Sequence, residues 1–419
     1  MIEYRNIIYN GGGDYRLLNV VTPDEALEVI RAGFTRRSKP ESVDIADAVD
    51  RVLAKDILST EYIPGFDRSM VDGYAVRAGD TFGSSESLPA LLALAGEVKM
   101  GEGAPMELRD GECAAVPTGG ELPGGADAVV MIEYAEDYGD GTIGIIKPAA
   151  PGNDVIFRGD DARPGDVVLG AGAVLTPHDI GILADLGIAS ASVREKPIVG
   201  IISTGDELVG IGETPSAGRI RDVNSHLVAA QIGKAGGTPR IYGIVRDDIE
   251  ELTDAVGRAV RECDAVLISG GSSVGQRDVT AKVIGAQGEI LLHGIAMKPG
   301  KPTIVGKIGG KPVFGLPGNP VAAYFVTRLF VVPLLGILMG AGSRDFNVTA
   351  ALDEAISSNH GRAEYMAVRL EKRGGVLVAR PVRGKSGLII GLAGTDGYIA
   401  VPRDCEGVAK GTSVEVTLW

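Results

Sequence analysis

Residues 197–340 alternate short apolar runs with helical patterns, and this alternation constrains the fold more than any other feature of the chain. Strands that alternate with helices form a mostly parallel sheet, because each parallel strand needs a crossover to reach the next one. The predicted strands are Ile198–Ile202, Ile241–Val245, Ala265–Ile268, Thr303–Val305 and Val313–Phe314. The predicted helices are Ser225–Ala235, Asp248–Arg261, Val279–Ala286 and a longer one after Pro320. We therefore predict an α/β domain over this stretch.

Two other stretches have the pattern of β-structure. Between Tyr62 and about Lys147, short apolar runs alternate with glycine, proline and aspartate, which predicts a small β domain. From about Phe346 onwards, alternating apolar and polar residues predict a C-terminal β barrel or sandwich.

Helix signals flank the first β stretch. Thr22-Pro23-Asp24-Glu25 combines an N-cap, an early proline and a capping-box glutamate. A second helix is predicted at Ala46–Ala54 and a third after Thr176-Pro177. We predict an inserted β domain (63–149) in a discontinuous helical region (20–62 and 150–196), followed by the α/β domain (197–340) and the C-terminal β domain (345–419).

Charge and cysteine content exclude several classes of protein. The 419-residue chain has a net charge of −14, so a general basic field for nucleic acid is absent, and an anionic ligand would need local positive groups. Cys113, Cys263 and Cys405 form no CxxC pair, which predicts reduced core thiols in the cytoplasm. The four histidines have no metal-ligand spacing, so a structural zinc site is not expected.

Membrane insertion is not expected either. The N-terminal residues lack the pattern of a signal peptide. The longest apolar stretch, Val321–Met339, contains Arg328 and Pro333 and is predicted to be a buried helix.

Three glycine-rich loops follow predicted strands of the α/β domain. They read STGDE (203–207), SGGSSVG (269–275) and GLPGNP (315–320). Ligands of open α/β sheets bind beyond the carboxyl ends of the strands, and glycines let backbone amides approach an anion. One such loop alone would be read as a turn of small residues, but three at successive strand ends predict a phosphate or oxyanion cradle. Its candidate residues are Ser269, Gly270, Gly271, Ser273, Gly275, Gly318 and Asn319.

Charged residues complete this predicted site. Lys298 and Lys301 lie on the stiff KPGKP turn and could neutralise an oxyanion, although a solvated lysine pair would look the same. Glu207, Asp247 and Asp278 lie near the same loops, where carboxylates beside phosphates indicate a divalent cation between them. Glu207 and Asp278 are the predicted Mg²⁺ ligands. An N-cap of the following helix is the alternative role for Asp278.

These motifs together resemble those of the molybdopterin molybdenumtransferases, a family that includes the E domain of gephyrin. The resemblance covers residues from about 20 to 340, with the motifs in the family's order. They are PGFDRSMVDGYAV (64–76), VPTGGELPGGADAVVMIE (116–133), RGDD (158–161), STGDEL (203–208), SGGSSVGQRD (269–278), MKPGKP (297–302) and GLPGNP (315–320).

The resemblance implies a molybdopterin-binding-type α/β domain and a homodimer. Each site would lie between the α/β domain of one subunit and the β domain of the other. It implies that molybdate is inserted into adenylylated molybdopterin and that AMP is released, with the molybdopterin adenylyltransferase as an expected partner. The motifs fit molybdate and tungstate equally. The functional positions of the family fall on Asp67, Thr118, Asp161, Glu207, Asp247, Asp278 and Lys298.

The C-terminal domain departs from the family pattern. In the family, a serine and an arginine of this domain are implicated in molybdate binding. Ser386 matches the serine, but Met366-Ala367 stand where the arginine is expected after Tyr365. Arg362 or Arg369 could replace it.

Two other functions are compatible with parts of the sequence. The same type of α/β domain occurs in the enzyme that adenylylates molybdopterin, but the DGYAV and GLPGNP blocks and the additional domains favour the transferase. A non-catalytic scaffold that binds a partner peptide is the alternative from another functional class. The retained acids and lysines favour catalysis over a scaffold.

Overall fold

The computed structural model describes residues 20–270, 276–342, 345–358 and 360–419, which form two compact units. One unit comprises the described residues up to Glu41, Asp50–Val52 and the described residues of Arg194–Trp419. The other comprises Ser42–Val49 and Leu53–Val193. The predicted boundaries of four domains are finer than this division and stay a prediction.

The unit built around Leu53–Val193 contains a six-stranded sheet, in the stretch where a small β domain is predicted. Its strands lie in the order β4-β1-β3-β2-β6-β5, and only β2 and β3 are parallel. Both faces carry buried side chains, because Val76 and Val130 enter one apolar cluster while Ala75 and Val129 enter another. The strands are β1 (Gly73–Val76), β2 (Ala90–Glu97), β3 (Glu112–Val116), β4 (Ala128–Met131), β5 (Ala135–Asp137) and β6 (Thr142–Ile145).

Helix prediction in this region is partly right. The predicted helix after Thr176 is present at Pro177–Asp185, and Thr176 and Asp179 form a capping box at its start. The predicted helix Ala46–Ala54 is wrong. A single 3-10 turn covers Ile45–Asp47 instead, because Asp50 adopts a left-handed φ of 62° that no α-helix accommodates. The fully buried Leu53 then forms a bridge with Val193.

The other unit contains the predicted α/β layer, a six-stranded sheet in the order β8-β7-β9-β12-β11-β10. The first four strands are parallel, and β11 and β10 add antiparallel at one edge. The strands are β7 (Ile198–Thr204), β8 (Thr238–Val245), β9 (Ala265–Gly270), β10 (Glu289–His293), β11 (Ile304–Ile308) and β12 (Lys311–Leu316). The mostly parallel sheet confirms the prediction from the alternating pattern.

Helices cover both faces of this sheet. The helices of this unit are α1 (Pro23–Gly33), α3 (Asn224–Lys234), α4 (Ile249–Glu262), α5 (Gln276–Gln287), α6 (Pro320–Val326) and α7 (Val332–Met339), whereas α2 (Pro177–Asp185) belongs to the other unit. Leu252 and Val256 of α4 and Ile284 of α5 pack with Ile202 and Ile268 in one buried cluster. The helices α3 and α6 pack against each other and against the sheet.

The segment Pro320–Met339 is apolar and continuously helical, with a π-helical turn at Thr327–Val331. By length and composition alone it could cross a membrane, but 56% of its most apolar window is buried inside the protein. Arg328, near its middle, pairs with Asp345 at 2.7 Å. These features match the predicted buried helix.

The C-terminal β prediction is confirmed in its barrel form. The strands are β13 (Asn347–Leu352), β14 (Ala363–Arg373), β15 (Val376–Pro381), β16 (Gly397–Val401) and β17 (Ser413–Leu418). Their order is β14-β15-β13-β17-β16, and pairing of β16 with β14 closes the sheet. The two-residue strand Met297–Lys298 adds to β14 in parallel. The buried core of the barrel includes Val368, Ile399 and Val416.

Aromatic contacts attach α6 to this barrel. The ring of Trp419 lies 4.9 Å from that of Tyr324 and 5.9 Å from that of Phe325, measured between centroids. Tyr398 of β16 lies 5.8 Å from Phe325. Trp419 is the only tryptophan of the chain, so its fluorescence reports on this junction.

The remaining strands are short. They are Pro40–Asp44, Ile57–Leu58, Arg68–Ser69, Val155–Ile156, Val167–Leu169, Ser190–Arg194, Leu208–Val209, Ile220–Arg221, Ile356–Ser357 and Gly407–Val408.

The predicted burial of the cysteines holds for two of the three. Cys113 and Cys263 are buried, whereas Cys405 is partly exposed. Burial raises the pKa of the Cys113 thiol to about 12, so this thiol stays protonated at neutral pH.

The capping box of α1 gives a stability prediction. Thr22 Oγ1 accepts from the Glu25 amide, and a Glu25 carboxylate oxygen accepts from the Thr22 amide at 2.7 Å. Thr22→Ala leaves the Glu25 amide without its acceptor and should destabilise the unit by about 1 kcal/mol, measured by denaturant unfolding. Glu28→Ala, at an exposed position of α1, is the control. Equal losses would show that the cap contributes nothing specific.

Candidate active site

The three predicted polar loops start at the carboxyl edge of the α/β sheet, and the second of them lies outside the described residues after Gly270. They follow β7, β9 and β12, which lie next to one another and run parallel. The ends of β7 and β9 approach closely because Gly270 has no side chain. A Cβ on Gly270 would lie 1.9 Å from the carbonyl oxygen of Thr204. The described ends of the three strands thus lie side by side, and glycine is required where β7 and β9 touch.

Asn224 joins two of these loops and was not found from the sequence. It is the first residue of α3 and is only 8% exposed. Its Nδ2 donates to Ser269 Oγ and to the carbonyl oxygen of Gly318, both at 2.8 Å. The Gly318 carbonyl can only accept, so it fixes the orientation of the amide. Asn224 therefore sets the separation between the end of β9 and the GLPGNP loop.

Part of the predicted cradle lies outside the described residues. This applies to Gly271, Ser273 and Gly275, and to the side chain of Asp278. The helix α5 begins at Gln276, so the backbone of Asp278 lies inside its first turn. The role of the Asp278 side chain, as a cation ligand or as an N-cap, stays a prediction.

Glu207 and Asp247 have different surroundings. Asp247 accepts from Thr204 Oγ1 at 2.8 Å and from the Asp206 amide at 3.4 Å, so it orients the loop after β7. The carboxylate of Glu207 folds over Gly205, and within the described chain no side-chain hydrogen bond or ion pair engages it. The described residues include no cluster of three or more His, Cys, Asp or Glu that could hold a metal. Glu207 alone could supply one carboxylate to a cation whose other ligands come from substrate.

A cavity of about 700 Å³ opens beside these loops, between the α/β sheet and the barrel. Seven of the site residues predicted from the sequence line this cavity: Gly270, Lys298, Lys301, Gly318, Asn319, Arg362 and Ser386. Ser269 is buried beneath the loop surface, with 2% exposed. Asn319 Nδ2 donates to Ser386 Oγ at 3.0 Å, which joins the GLPGNP loop to the barrel. The cavity thus collects polar residues that are distant in sequence.

The charge of the cavity is mainly positive. Of the two arginines considered as substitutes, Arg362 lines the cavity, whereas Arg369 donates to the Ala393 carbonyl oxygen at 2.9 Å. Arg383 and Lys385 also line it, and the sequence reading missed both. One carboxylate, that of Glu364, lies among these cations and pairs with Lys298 at 2.9 Å. The cavity is suited to an anion.

The remaining predicted residues lie in the other unit. There, residues 67–72 run between residues 118–122 and 154–158 as three hydrogen-bonded segments. Asp67 Oδ1 accepts from the Arg158 amide at 2.7 Å, and the Asp161 amide donates to the Ile63 carbonyl oxygen at 2.9 Å. Asp67 and Thr118 are exposed on these segments, and Asp161 is exposed just after the third one.

Asp72 holds Thr118 in place. Its Oδ1 accepts from the Thr118 amide at 2.7 Å and from Thr118 Oγ1 at 3.0 Å. These hydrogen bonds, first the backbone bond and then the hydroxyl bond, lower the pKa of the Asp72 carboxyl below its usual value. Asp72 lies in the PGFDRSMVDGYAV motif, but the sequence does not reveal this contact because Asp72 and Thr118 are far apart in the chain.

Three family models match successive parts of the chain. Residues 21–187 match the family described as the MoeA N-terminal region (domain I and II). Residues 200–336 match the probable molybdopterin binding domain, and residues 349–419 match the MoeA C-terminal region (domain IV).

Individual relatives match along nearly their full lengths. A putative molybdopterin biosynthesis protein of Methanocaldococcus jannaschii is 37% identical over 393 residues, covering 91% of this chain and 92% of that protein. The molybdopterin molybdenumtransferase of Bacillus subtilis is 33% identical over 410 residues, covering 96% and 95%. The crystal structure of the molybdopterin biosynthesis MoeA protein of Pyrococcus horikoshii matches with a TM-score of 0.84 at 36% identity, covering 96% and 100%.

The Asn224 bridge predicts a selective loss of stability. Asn224→Leu keeps the approximate shape but leaves the Gly318 carbonyl without its donor, which should cost about 1–3 kcal/mol in calorimetry. Ser225→Ala is the control, because Ser225 Oγ is buried without a hydrogen-bond partner among the described residues and its removal should be nearly neutral. A larger loss in Ser225→Ala than in Asn224→Leu would contradict this role.

The Asp72–Thr118 contact predicts a pH dependence. The pKa of Asp72 is lowered from 3.8, so the contact is fully present above pH 3.8 and is lost only as the pH falls through the lower folded value. In protein labelled with ¹⁵N-threonine, the Thr118 amide resonance should be constant from neutral pH to about pH 4.5 and shift only at lower pH. Asp72→Asn should abolish this titration. A midpoint above pH 4.5 in the wild type would contradict the account.

Proposed function

Because the chain belongs to the MoeA family, we propose that it is a molybdopterin molybdenumtransferase. The reaction inserts molybdenum from molybdate into the dithiolene of adenylylated molybdopterin and releases AMP. The observation that carries the proposal is the cationic cavity at the carboxyl edge of the α/β sheet. In a protein with a net charge of −14, such a local concentration of lysine and arginine supports binding of an anionic substrate.

The lining residues have separate tasks in this reaction. Lys298, Lys301 and Arg362 neutralise the charges of phosphate and molybdate oxygens. Ser386 and Asn319 offer hydrogen bonds on the barrel side and the loop side of the cavity. The loop ends at Gly270 and Gly318 present backbone groups to the substrate, at a separation set by Asn224.

Magnesium has a place in this proposal. Glu207 and Asp278 would hold it together with phosphate oxygens of the substrate, as Mg²⁺ prefers few protein carboxylates. When bound, the ion supplies stabilisation of the negative charge that develops as the phosphoanhydride bond breaks. Asp247 keeps the loop that carries Glu207 in place through Thr204 and Asp206.

We propose that the active protein is a homodimer. Asp67, Thr118 and Asp161 act in the site formed with the α/β domain of the second subunit. Large apolar side chains exposed on the same segments support a partner surface, since Phe66 is 42%, Met70 52% and Phe157 40% exposed.

We place the reaction in the cytoplasm, where free thiols such as those of Cys113 and Cys263 stay reduced. The substrate is supplied by an enzyme that adenylylates molybdopterin, because the released AMP must come from such a step. Transient contact with that adenylyltransferase is part of the proposal.

The direct test is AMP release. Purified protein should release AMP from adenylylated molybdopterin when molybdate and Mg²⁺ are present, and much more slowly when either is omitted. Formation of adenylylated molybdopterin from ATP and molybdopterin would instead indicate an adenylyltransferase. A dimer that carries out neither reaction would contradict the proposal.

Lys298 is expected to contribute substantially to substrate binding. Charge-assisted hydrogen bonds contribute about 1.5–3 kcal/mol, so Lys298→Ala should raise the Kd for molybdate about ten-fold or more, measured by isothermal titration calorimetry. Lys372→Ala, at an exposed position of β14, is the matched control. Equal changes in both variants would mean that the general field, rather than the cavity, attracts the anion.

The proposed dimer predicts complementation between two inactive variants. Asp67→Asn and Lys298→Ala should each lose most activity alone. After subunit exchange, random mixing makes about half of the dimers mixed, each with one intact site, so about a quarter of wild-type activity should return. Mixed dimers confirmed by native mass spectrometry but inactive would show that Asp67 and Lys298 do not act in one site across the dimer.

A further inference from the structure

Glu364 is a carboxylate in a cavity otherwise lined by cations. The charged residues of the lining are Lys298, Lys301, Arg362, Arg383 and Lys385 on the positive side and Glu364 alone on the negative side. The side chain of Glu364 is only 9% exposed. A carboxylate at this depth is costly unless it is paired and hydrogen-bonded.

Both oxygens of Glu364 are engaged. Oε1 lies 2.9 Å from the Lys298 ammonium nitrogen, and Oε2 accepts from Ser358 Oγ at 3.0 Å. The backbone sets this geometry, because Lys298 and Glu364 are direct partners in the pairing of Met297–Lys298 with β14. The ion pair is thus built into the junction between the α/β layer and the barrel.

Lys298 can donate hydrogen bonds to Glu364 and to a ligand at the same time. Its side chain is 53% exposed, in contrast to that of Glu364. An ammonium group has three donors, so one can remain on Glu364 while others reach an oxygen in the cavity. The carboxylate also reduces the positive potential that a free oxyanion meets there.

We propose that Glu364 is a positioning and specificity-determining residue that acts through Lys298. It holds the ammonium at the cavity wall in the orientation needed for reaction, and its negative charge weakens the binding of free tetrahedral oxyanions. This inference rests on the proposed transferase function. Its consequence is that removing the charge of Glu364 should tighten oxyanion binding and slow turnover together.

The test compares oxyanion binding and AMP release in full-length dimers. Glu364→Gln keeps the size of the side chain and an acceptor oxygen but removes the charge. We expect its Kd for molybdate, measured by calorimetry or Trp419 fluorescence, to fall about ten-fold, with a similar gain for sulfate. In the AMP-release assay, both the KM for molybdate and kcat should fall. A purely structural role would lower the melting temperature without lowering KM and kcat together.

Glu371→Gln is the matched control, because it removes the same charge from an exposed position of the same strand. An equal gain in oxyanion affinity in this control would overturn the proposal. So would unchanged or weaker molybdate binding in a folded Glu364→Gln variant.

A second variant keeps the inference testable if Glu364→Gln does not fold. Glu364→Asp retains the charge, but its side chain is one methylene shorter, so the carboxylate lies farther from Lys298. It should lower kcat about ten-fold or more while the Kd for molybdate changes less than about two-fold. Wild-type kcat in Glu364→Asp would contradict the positioning role. A wild-type protein that neither binds molybdate nor releases AMP would instead contradict the transferase function itself.

Discussion

The backbone pairing of Met297–Lys298 with β14 is the constraint on which the candidate site depends. This segment leaves the α/β layer after β10 and adds to the barrel, so the two layers enclose a cavity beside the carboxyl ends of the strands. The same register sets Lys298 opposite Glu364 and aims an ammonium at the cavity. The contact between Asn319 and Ser386 fastens the opposite wall. The candidate cavity therefore depends on the junction between the α/β sheet and the barrel.

Much of the fold was predictable because local patterns determine it. The apolar runs of the parallel strands, the Thr22 and Thr176 caps, and the alternating C-terminal strands each carry their signal within a few residues. The prediction of a helix at Ala46–Ala54 was wrong because the left-handed backbone of Asp50 and the bridge between Leu53 and Val193 outweigh the local helical pattern. The choice of barrel over sandwich depended on pairing between β14 and β16, which sequence alone does not specify.

The site was predictable to the extent that its residues stand in compact motifs. The glycine loops and the KPGKP turn predict an anion site at the sheet edge, and the family resemblance adds Ser386 and either Arg362 or Arg369. Asn224, Glu364, Arg383 and Lys385 could not be found in this way. Each acquires its role only from a neighbour that the fold brings from elsewhere in the chain, as Ser269 and Gly318 do for Asn224. A lone asparagine or glutamate carries no such information in the sequence.

The central claim is that molybdate meets adenylylated molybdopterin in the cavity between the α/β sheet and the barrel. The most direct measurement is anomalous diffraction at the molybdenum absorption edge from crystals of the protein soaked in molybdate. The account predicts a molybdenum peak inside this cavity, within hydrogen-bonding reach of Lys298 and Ser386, and its loss in Lys298→Ala crystals. A well-occupied peak elsewhere on the protein, with none in the cavity, would contradict it.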